Sequence, residues 1–323
     1  MPFTQMKLKA LALAEQRHKA ALAKKPKGFT SLAALETPTI QTLIDAALAV
    51  KKHPQCWTTI LAGKHVALLF EKTSTRTRCS FETGVREMGG DVSYLDWKTS
   101  NFVLADLADE AKCLSRYYDI IMARVMKNET IQTMAAYSES PVINGLCDRE
   151  HPCQALADFM TMAEYFGRNL AGLKLTFIGD GNNVCRSLVH GASKLGVKVT
   201  LCAPDGYALD AQTVKEAGAL VSFASTPHEA VADADVIYTD TWVSMGDEAE
   251  ATKRLKAFAG YQVDESVLAA APLHALVMHC LPAHPGQEIA ASVLRGPRSI
   301  VFDQAENRKH AQKAVMAWLV EDR

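Results

Sequence analysis

The sequence predicts an α/β protein: two doubly wound parallel-sheet domains joined by helices, with the active site in the interdomain cleft. Three observations carry this. Short apolar runs of strand length alternate with stretches of helical spacing, the pattern that builds parallel sheets covered by helices on both faces. The 323 residues exceed what one core of ordinary size holds, so two sheets are expected. The polar residues that stand out follow directly on the apolar runs, where open parallel sheets bind their ligands.

The elements follow in order. Leu and Ala recur at helical spacing among lysines in residues 1–28, which read as an extra amphipathic helix rather than a targeting presequence. A helix is predicted over 38–51, an apolar strand over 65–70, a helix opening at Thr75, and a short strand over 91–95. Next come a helix over 104–118, a strand over 119–125, a helix over 129–137 and a strand over 141–146. The turn-rich stretch SESPVINGLCDREHP, residues 138–152, marks the domain boundary. Beyond it the rhythm repeats: helix 152–166, strand 174–178, helix 184–195, strand 198–202 and helix 211–217. Strands over 219–223, 236–239, 275–280 and 299–302 and a final helix over 306–320 complete the pattern.

Charge and composition exclude several functions. With 35 basic and 36 acidic side chains the net charge is -1, so no global positive field draws the chain to nucleic acid or an anionic membrane. The longest apolar runs fall far short of the roughly 20 residues that span a bilayer. The 8 cysteines are scattered with no CxxC pair, which implies neither a zinc site nor a disulfide framework and fits a reducing, cytoplasmic setting.

Six constellations carry chemistry. In FEKTSTRTRCSFETG, residues 70–84, a strand ends and Ser74, Thr75, Arg76, Thr77 and Arg78 open a helix. Free backbone N–H groups, hydroxyls and guanidinium forks make an anion cradle without the glycines of a nucleotide-triphosphate loop. The plainer alternative is a Ser or Thr cap beside solvated arginines. Arg124, ending the next long strand, can reach the same anion. In EHPCQALAD, Pro152 suits the first helical position, which makes His151 the N-cap and puts Gln154 at the same helix end. Either Gln154 reaches back to cap the His151 N–H, or both neutral polar groups face a carbonyl or amide ligand.

IGDGNNV follows an apolar strand but is not a dinucleotide fingerprint. Val184 stands where a third glycine is needed, and Ala203 stands where an acidic residue would hold the ribose. A tight turn presenting Asn182 and Asn183 remains, one for the turn and one for a small polar ligand. In YTDTWVSMG, Asp240 ends a strand and Ser244 and Met245 follow in a loop that can fold over a ligand; Asp240 reads as a helix cap or, with the hydroxyl nearby, as a receptor for an ammonium group. The charge-rich run 247–256 reads as a solvated helix face. VMHCLPAHPG ends a buried strand in His279 and Cys280. Neighbours on a strand face opposite ways, so His279 is not placed to activate Cys280, and the thiol touches substrate without covalent attack. In FDQAENRK, Arg308 falls in the first turn of the last helix, as a ligand contact or as a solvated arginine.

Taken together, STRTR, HPCQ, DGNN, DxxxSMG, HCLP and AENRK stand in the order and at the spacing of the aspartate/ornithine carbamoyltransferase family. The chain resembles that family from about Phe29 to its C-terminus. Cys280, where the aspartate branch reads HPLP, and the Ser244-Met245-Gly246 triplet point to the ornithine branch. The resemblance implies that Ser74, Thr75, Arg76, Thr77 and Arg124 bind the phosphate of carbamoyl phosphate. It implies that His151, Gln154, the Cys280–Leu281 backbone and Arg308 hold the carbamoyl group, with Leu281–Pro282 cis. Asn183, Asp240, Ser244 and Met245 would hold the α-amino-acid end of L-ornithine.

The implied domains are 1–147 for carbamoyl phosphate, with helix 305–323 packing back on it, and 148–304 for ornithine. The implied product is L-citrulline, made without cofactor or metal by a homotrimer or a multiple of trimers. Another acceptor, such as putrescine, lysine or an acylated ornithine, would share the phosphate half, and a noncatalytic homologue would bind without turnover. One stretch departs from the family pattern. Where members carry a His/Gln-x-Gly loop that reaches a neighbouring subunit, this chain has Asp96-Trp97-Lys98-Thr99-Ser100-Asn101-Phe102, in which Ser100 or Asn101 can substitute.

Overall fold

The computed structural model describes residues 28–243 and 248–321. The predicted N-terminal helix, up to residue 27, lies outside them, as do Ser244 and Met245. The described chain forms two five-stranded sheets in which every strand pair is parallel. The first has the order β1(Gly28–Phe29)-β5(Val142–Leu146)-β4(Ile120–Arg124)-β2(His65–Phe70)-β3(Asp91–Asp96). The second has β10(Leu276–His279)-β9(Val236–Thr239)-β6(Lys174–Ile178)-β7(Lys198–Cys202)-β8(Val221–Phe223). Strands β2 and β4 are almost wholly buried because helices cover both faces, which is why they read as unbroken apolar runs rather than as alternating ones.

The helices that matter for the site are α1(Thr37–Lys52), α2(Thr75–Glu87), α3(Leu107–Leu114), α4(Asn128–Tyr137), α5(Pro152–Phe166) and α6(Asn183–Leu195). The second half adds α7(Ala211–Ala217), α8(Pro227–Val231), α9(Ala251–Ala257), α10(Glu265–Ala270), α11(Ala291–Leu294) and α12(Val301–Val320). Helix α12 packs on α1, α2 and α5. One apolar cluster runs from Phe29, Leu68 and Phe81 through Phe159 and Met316 to Val189 and Tyr238, so both sheets share a continuous core across α5 and α12. Among the described residues no helix is long and apolar enough to cross a membrane.

Several expectations are corrected. Residues 299–302 are not a strand: Ser299 makes one isolated bridge to Val277, and helix α12 already begins at Val301. A short apolar run looks alike as a buried strand or as the first turn of a buried helix. Arg308 therefore sits in the third turn of α12, not its first. The helix expected over 104–118 shrinks to α3, because Asp106 accepts hydrogen bonds from the Ala108 and Asp109 N–H groups and starts it late. The run 219–223 keeps only β8 as strand, since Gly218 adopts φ 63 and opens a 3-10 turn. The short helices α8, α10 and α11 and strand β1 have too few residues to show a period.

Candidate active site

Strand β2 ends at Phe70, and the chain crosses to α2 at the carboxyl edge of the sheet. Ser74 is the N-cap: its Oγ accepts from the Thr77 N–H at 3.3 Å. That cap buries Thr77, and two guanidiniums converge on its hydroxyl. Arg124 Nη1, from the end of β4, donates to Thr77 Oγ1 at 3.3 Å, and Arg308 Nη2, from α12, does so at 3.4 Å. Arg124 and Arg308 are 5% and 4% exposed, and the Nε of each is buried without a hydrogen-bond partner. Burial first, then Arg308 and Arg76, lower the Arg124 pKa to about 10. Like charges gathered in a dry place favour an anion.

Arg78 leaves the cluster: its Nε pairs with Glu82 at 2.8 Å and its guanidinium lies 4.0 Å from the Tyr94 ring centre. Arg76 is exposed and reaches Arg124, Arg308 and His151 electrostatically. Thr75 opens α2 beside it.

His151 is the N-cap of α5, without a side-chain cap. Its backbone N–H donates to Ser187 Oγ at 2.8 Å, and that hydroxyl donates to Glu150. The imidazole is buried and held neutral, its pKa pushed well below the usual range by burial and then by Arg308, Arg124 and Arg76. Nδ1 of His151 is likewise buried and unpartnered. The Gln154 side chain does not reach back to cap the helix. Its Oε1 accepts from Arg308 Nη1 at 2.6 Å, and its Nε2 donates to Asp158 Oδ1 at 2.8 Å.

Across the cleft, Asp240 follows the end of β9. Its Oδ2 accepts from Asn182 Nδ2 at 2.8 Å; its Oδ1 accepts from the Thr241 N–H at 2.8 Å and from the Cys280 thiol at 3.0 Å. The pKa of Cys280 is pushed well up, by burial and then by Asp240, so the sulfur is a protonated donor. Asn182 also caps α6 through Oδ1. The turn before it is tight, since a Cβ on Gly181 would lie 2.3 Å from the Leu209 nitrogen. Asn183 spends its amide nitrogen on the Cys147 carbonyl at 2.7 Å.

His279 turns away from Cys280: Nε2 meets Glu288 Oε1 at 3.1 Å, and Nδ1 accepts from the Leu281 N–H at 2.9 Å. That bond holds Leu281 at φ 56, ahead of a cis Leu281–Pro282 peptide. Asp240, His279 and Cys280 bring possible metal-ligand atoms within 4.8 Å of one another. Both imidazole nitrogens are already committed, so the donor set does not fit a metal.

In the atypical stretch, Ser100 Oγ donates to the Trp97 carbonyl at 2.8 Å, and Phe102 is buried against Trp97. Ser100 is thus spent locally, while Asn101, like Lys98 and Thr99, is exposed. Sequence reasoning missed Asp158, Tyr238, Gln304 and Glu288, all buried beneath the site. Only Asp158 left a signal, one helical turn after Gln154.

Two parallel α/β sheets meeting at a buried cluster of guanidiniums, imidazole and carboxamide define a two-domain α/β transferase. The chain belongs to the aspartate/ornithine carbamoyltransferase family. Its carbamoyl-P binding domain matches residues 27–164 and its Asp/Orn binding domain residues 171–319. An ornithine carbamoyltransferase of Methanoculleus marisnigri is 44% identical over 300 residues, 91% of this chain and 97% of the relative. One of Thermococcus kodakarensis is 48% identical over 266 residues, 80% of this chain and 84% of the relative. The ornithine carbamoyltransferase structure from Pyrococcus furiosus superposes with a TM-score of 0.87 at 42% identity, covering 92% of this chain and 98% of that one. An N-acetyl-L-ornithine transcarbamylase superposes with a TM-score of 0.81 at 29% identity, covering 90% and 99%.

Proposed function

We propose that the protein transfers the carbamoyl group of carbamoyl phosphate to the δ-amine of L-ornithine, giving L-citrulline and phosphate. The observation that carries this is the Thr77 hydroxyl shared by Arg124 and Arg308, with neutral His151 and Gln154 alongside and the Asp240–Cys280 pair opposite. The phosphate lies on the N-terminus of α2 with Ser74, Thr75, Arg76 and Thr77, and takes Arg124. His151, Gln154, Arg308 and the Cys280–Leu281 backbone hold the carbamoyl group. Asn183, Asp240, Ser244 and Met245 hold the amino-acid end. Residues up to 147, with the terminal helix α12 packed back on them, form the carbamoyl-phosphate half, and residues from 148 to the start of α12 the ornithine half.

The δ-amine attacks, in its neutral form, the carbamoyl carbon; the C–N bond forms and the carbonyl π pair moves to oxygen. That charge falls among His151 and Arg308. Collapse re-forms the carbonyl and breaks the C–O bond to phosphate, whose electron pair leaves on the phosphate oxygen and is stabilised there by the guanidinium donors, and the amine proton leaves with the phosphate or solvent. Positioning and charge stabilisation suffice, so no covalent enzyme intermediate is required. The protonated Cys280 agrees with this. A homotrimer in the cytoplasm, serving arginine metabolism, completes the reading.

The test supplies carbamoyl phosphate with L-ornithine, N-acetyl-L-ornithine, putrescine and lysine, and measures phosphate release and ureido product. Turnover with ornithine is expected. Turnover with another amine but not ornithine would overturn the acceptor, and binding without any turnover would overturn the enzyme.

A further inference from the structure

The orientation of the Gln154 carboxamide is set from behind. Asp158 lies one turn along α5 and is fully buried; its Oδ1 accepts from Gln154 Nε2 at 2.8 Å and from Gln304 Nε2 at 2.7 Å. The Tyr238 hydroxyl donates to the other oxygen at 3.1 Å. An oxygen that takes two amide donors is fixed as an acceptor, and only hydrogen-bond partners tell a carboxamide oxygen from its nitrogen. Gln154 must therefore turn its carbonyl oxygen the other way, where it meets Arg308 Nη1 at 2.6 Å.

Arg308 enforces the same orientation from the front, but that hold can be competed away. An acyl phosphate brings several oxygens that draw guanidinium donors. Asp158 sits behind the helix on three partners from α5, β9 and α12, and nothing in an anionic substrate competes for it. The arginines facing the anion can only donate. An acceptor held among them reads an N–H on the acyl group, and a methyl in that place leaves the acceptor unpaired.

We propose that Asp158 is a positioning residue that makes Gln154 present its oxygen to the acyl group, and so selects a carbamoyl over an acyl phosphate that lacks N–H. This rests on the function proposed above.

The probes are phosphonoacetamide, a stable amide analogue of carbamoyl phosphate, and its methyl-ketone isostere 2-oxopropylphosphonate. Their dissociation constants are measured by calorimetry on the full chain. The wild type is expected to prefer the amide, D158L to narrow that preference about tenfold, and D158N, which keeps an oxygen for Gln154, to stay within about threefold of wild type. If both ligands weaken equally in D158L and the ratio is unchanged, Asp158 is merely structural and the proposal is overturned.

Should D158L not fold, neutron diffraction of wild-type crystals with phosphonoacetamide decides the matter. Deuterons on the Gln154 nitrogen facing Asp158 support the proposal, and deuterons facing the ligand overturn it. A wild type that binds the amide yet does not carbamoylate ornithine sinks the proposed function while the ligand ratio still judges Asp158. Binding of neither phosphonate sinks both.

Discussion

Arg124 and Arg308 donate to one and the same hydroxyl, Thr77 Oγ1, at 3.3 and 3.4 Å. One comes from the end of a strand in the first sheet, the other from the terminal helix. Among the described residues no carboxylate forms an ion pair with either; burial first, then neighbouring guanidiniums (Arg308 and Arg76 for Arg124, Arg76 for Arg308), lowers both pKa values. A neutral hydroxyl accepting from two guanidiniums is a weak substitute for an anion, which would accept from all of them and discharge the repulsion.

Arg76 tests this cleanly because it is exposed and its removal leaves no buried charge behind. Arg76→Ala is expected to lower kcat/KM by about 100- to 1000-fold, the usual cost of losing one well-aimed donor to developing charge. Inorganic phosphate should raise the unfolding temperature of the wild type, by mass action on the native state, and raise that of the variant far less. Without phosphate the two should melt within a few degrees of each other. An R76A protein that turns over normally sinks the phosphate assignment.

Cys280 invites a different expectation from that of a cysteine nucleophile. Its thiol donates to Asp240, and burial holds it protonated, so it should resist iodoacetamide at pH 7.5 while the exposed Cys79 and Cys113 react. Mass spectrometry of the alkylated protein reads this directly. Cys280→Ser keeps a donor to Asp240 and should hold kcat within about tenfold of wild type, the scale of one changed hydrogen bond. A trapped carbamoyl-cysteine adduct would contradict the direct-attack route.

The division between what the sequence disclosed and what it hid follows contact range. Strands such as Lys174–Ile178 and the start of α5 at Pro152 were legible because period and proline placement are local properties. His151 and Gln154 were legible as a pair for the same reason. The partners of Gln154 were not: Arg308 lies 154 residues away in sequence, and Gln304 reaches Asp158 across 146. The repeated hydroxyl–Arg pattern makes Arg78 look equivalent to Arg76, but Glu82 and Tyr94 hold it away from the cluster.

Asp158 should leave a signature in the pH dependence of stability. Burial raises its pKa from 3.8 to about 7, against the opposing hydrogen bonds from Gln154, Gln304 and Tyr238. Between those values the folded protein binds a proton that the unfolded chain releases. The stability tied to this group is therefore fully present below pH 3.8 and is lost as pH rises through 7. Asp158→Asn cannot titrate. The unfolding free energy of the wild type relative to D158N should thus fall by about 2–3 kcal/mol from pH 5 to pH 7.5 and then level off, at up to about 1.4 kcal/mol per unit. Denaturant titrations at a series of pH values measure it, and a flat difference would mean that Asp158 is ionised throughout.

Glu288 supports the site from the side opposite the substrate. It is fully buried, meets His279 Nε2 at 3.1 Å and accepts the His284 N–H at 2.5 Å. His279 in turn holds the Leu281 N–H and so a backbone turn, at positive φ, that an L side chain rarely adopts. Glu288→Leu strands the buried His279 Nε2–H, at about 1–3 kcal/mol, while the His284 N–H is part-buried and can turn to water, so the unfolding free energy should fall by about 2 kcal/mol. Leu281 would then relax away from the carbamoyl group, so kcat should fall at temperatures where the variant is still folded. Glu288→Gln keeps an oxygen for His279 and should recover most of both losses. Equal loss of kcat in both variants would show that charge at this position, rather than the acceptor that orients His279, is what the turn requires.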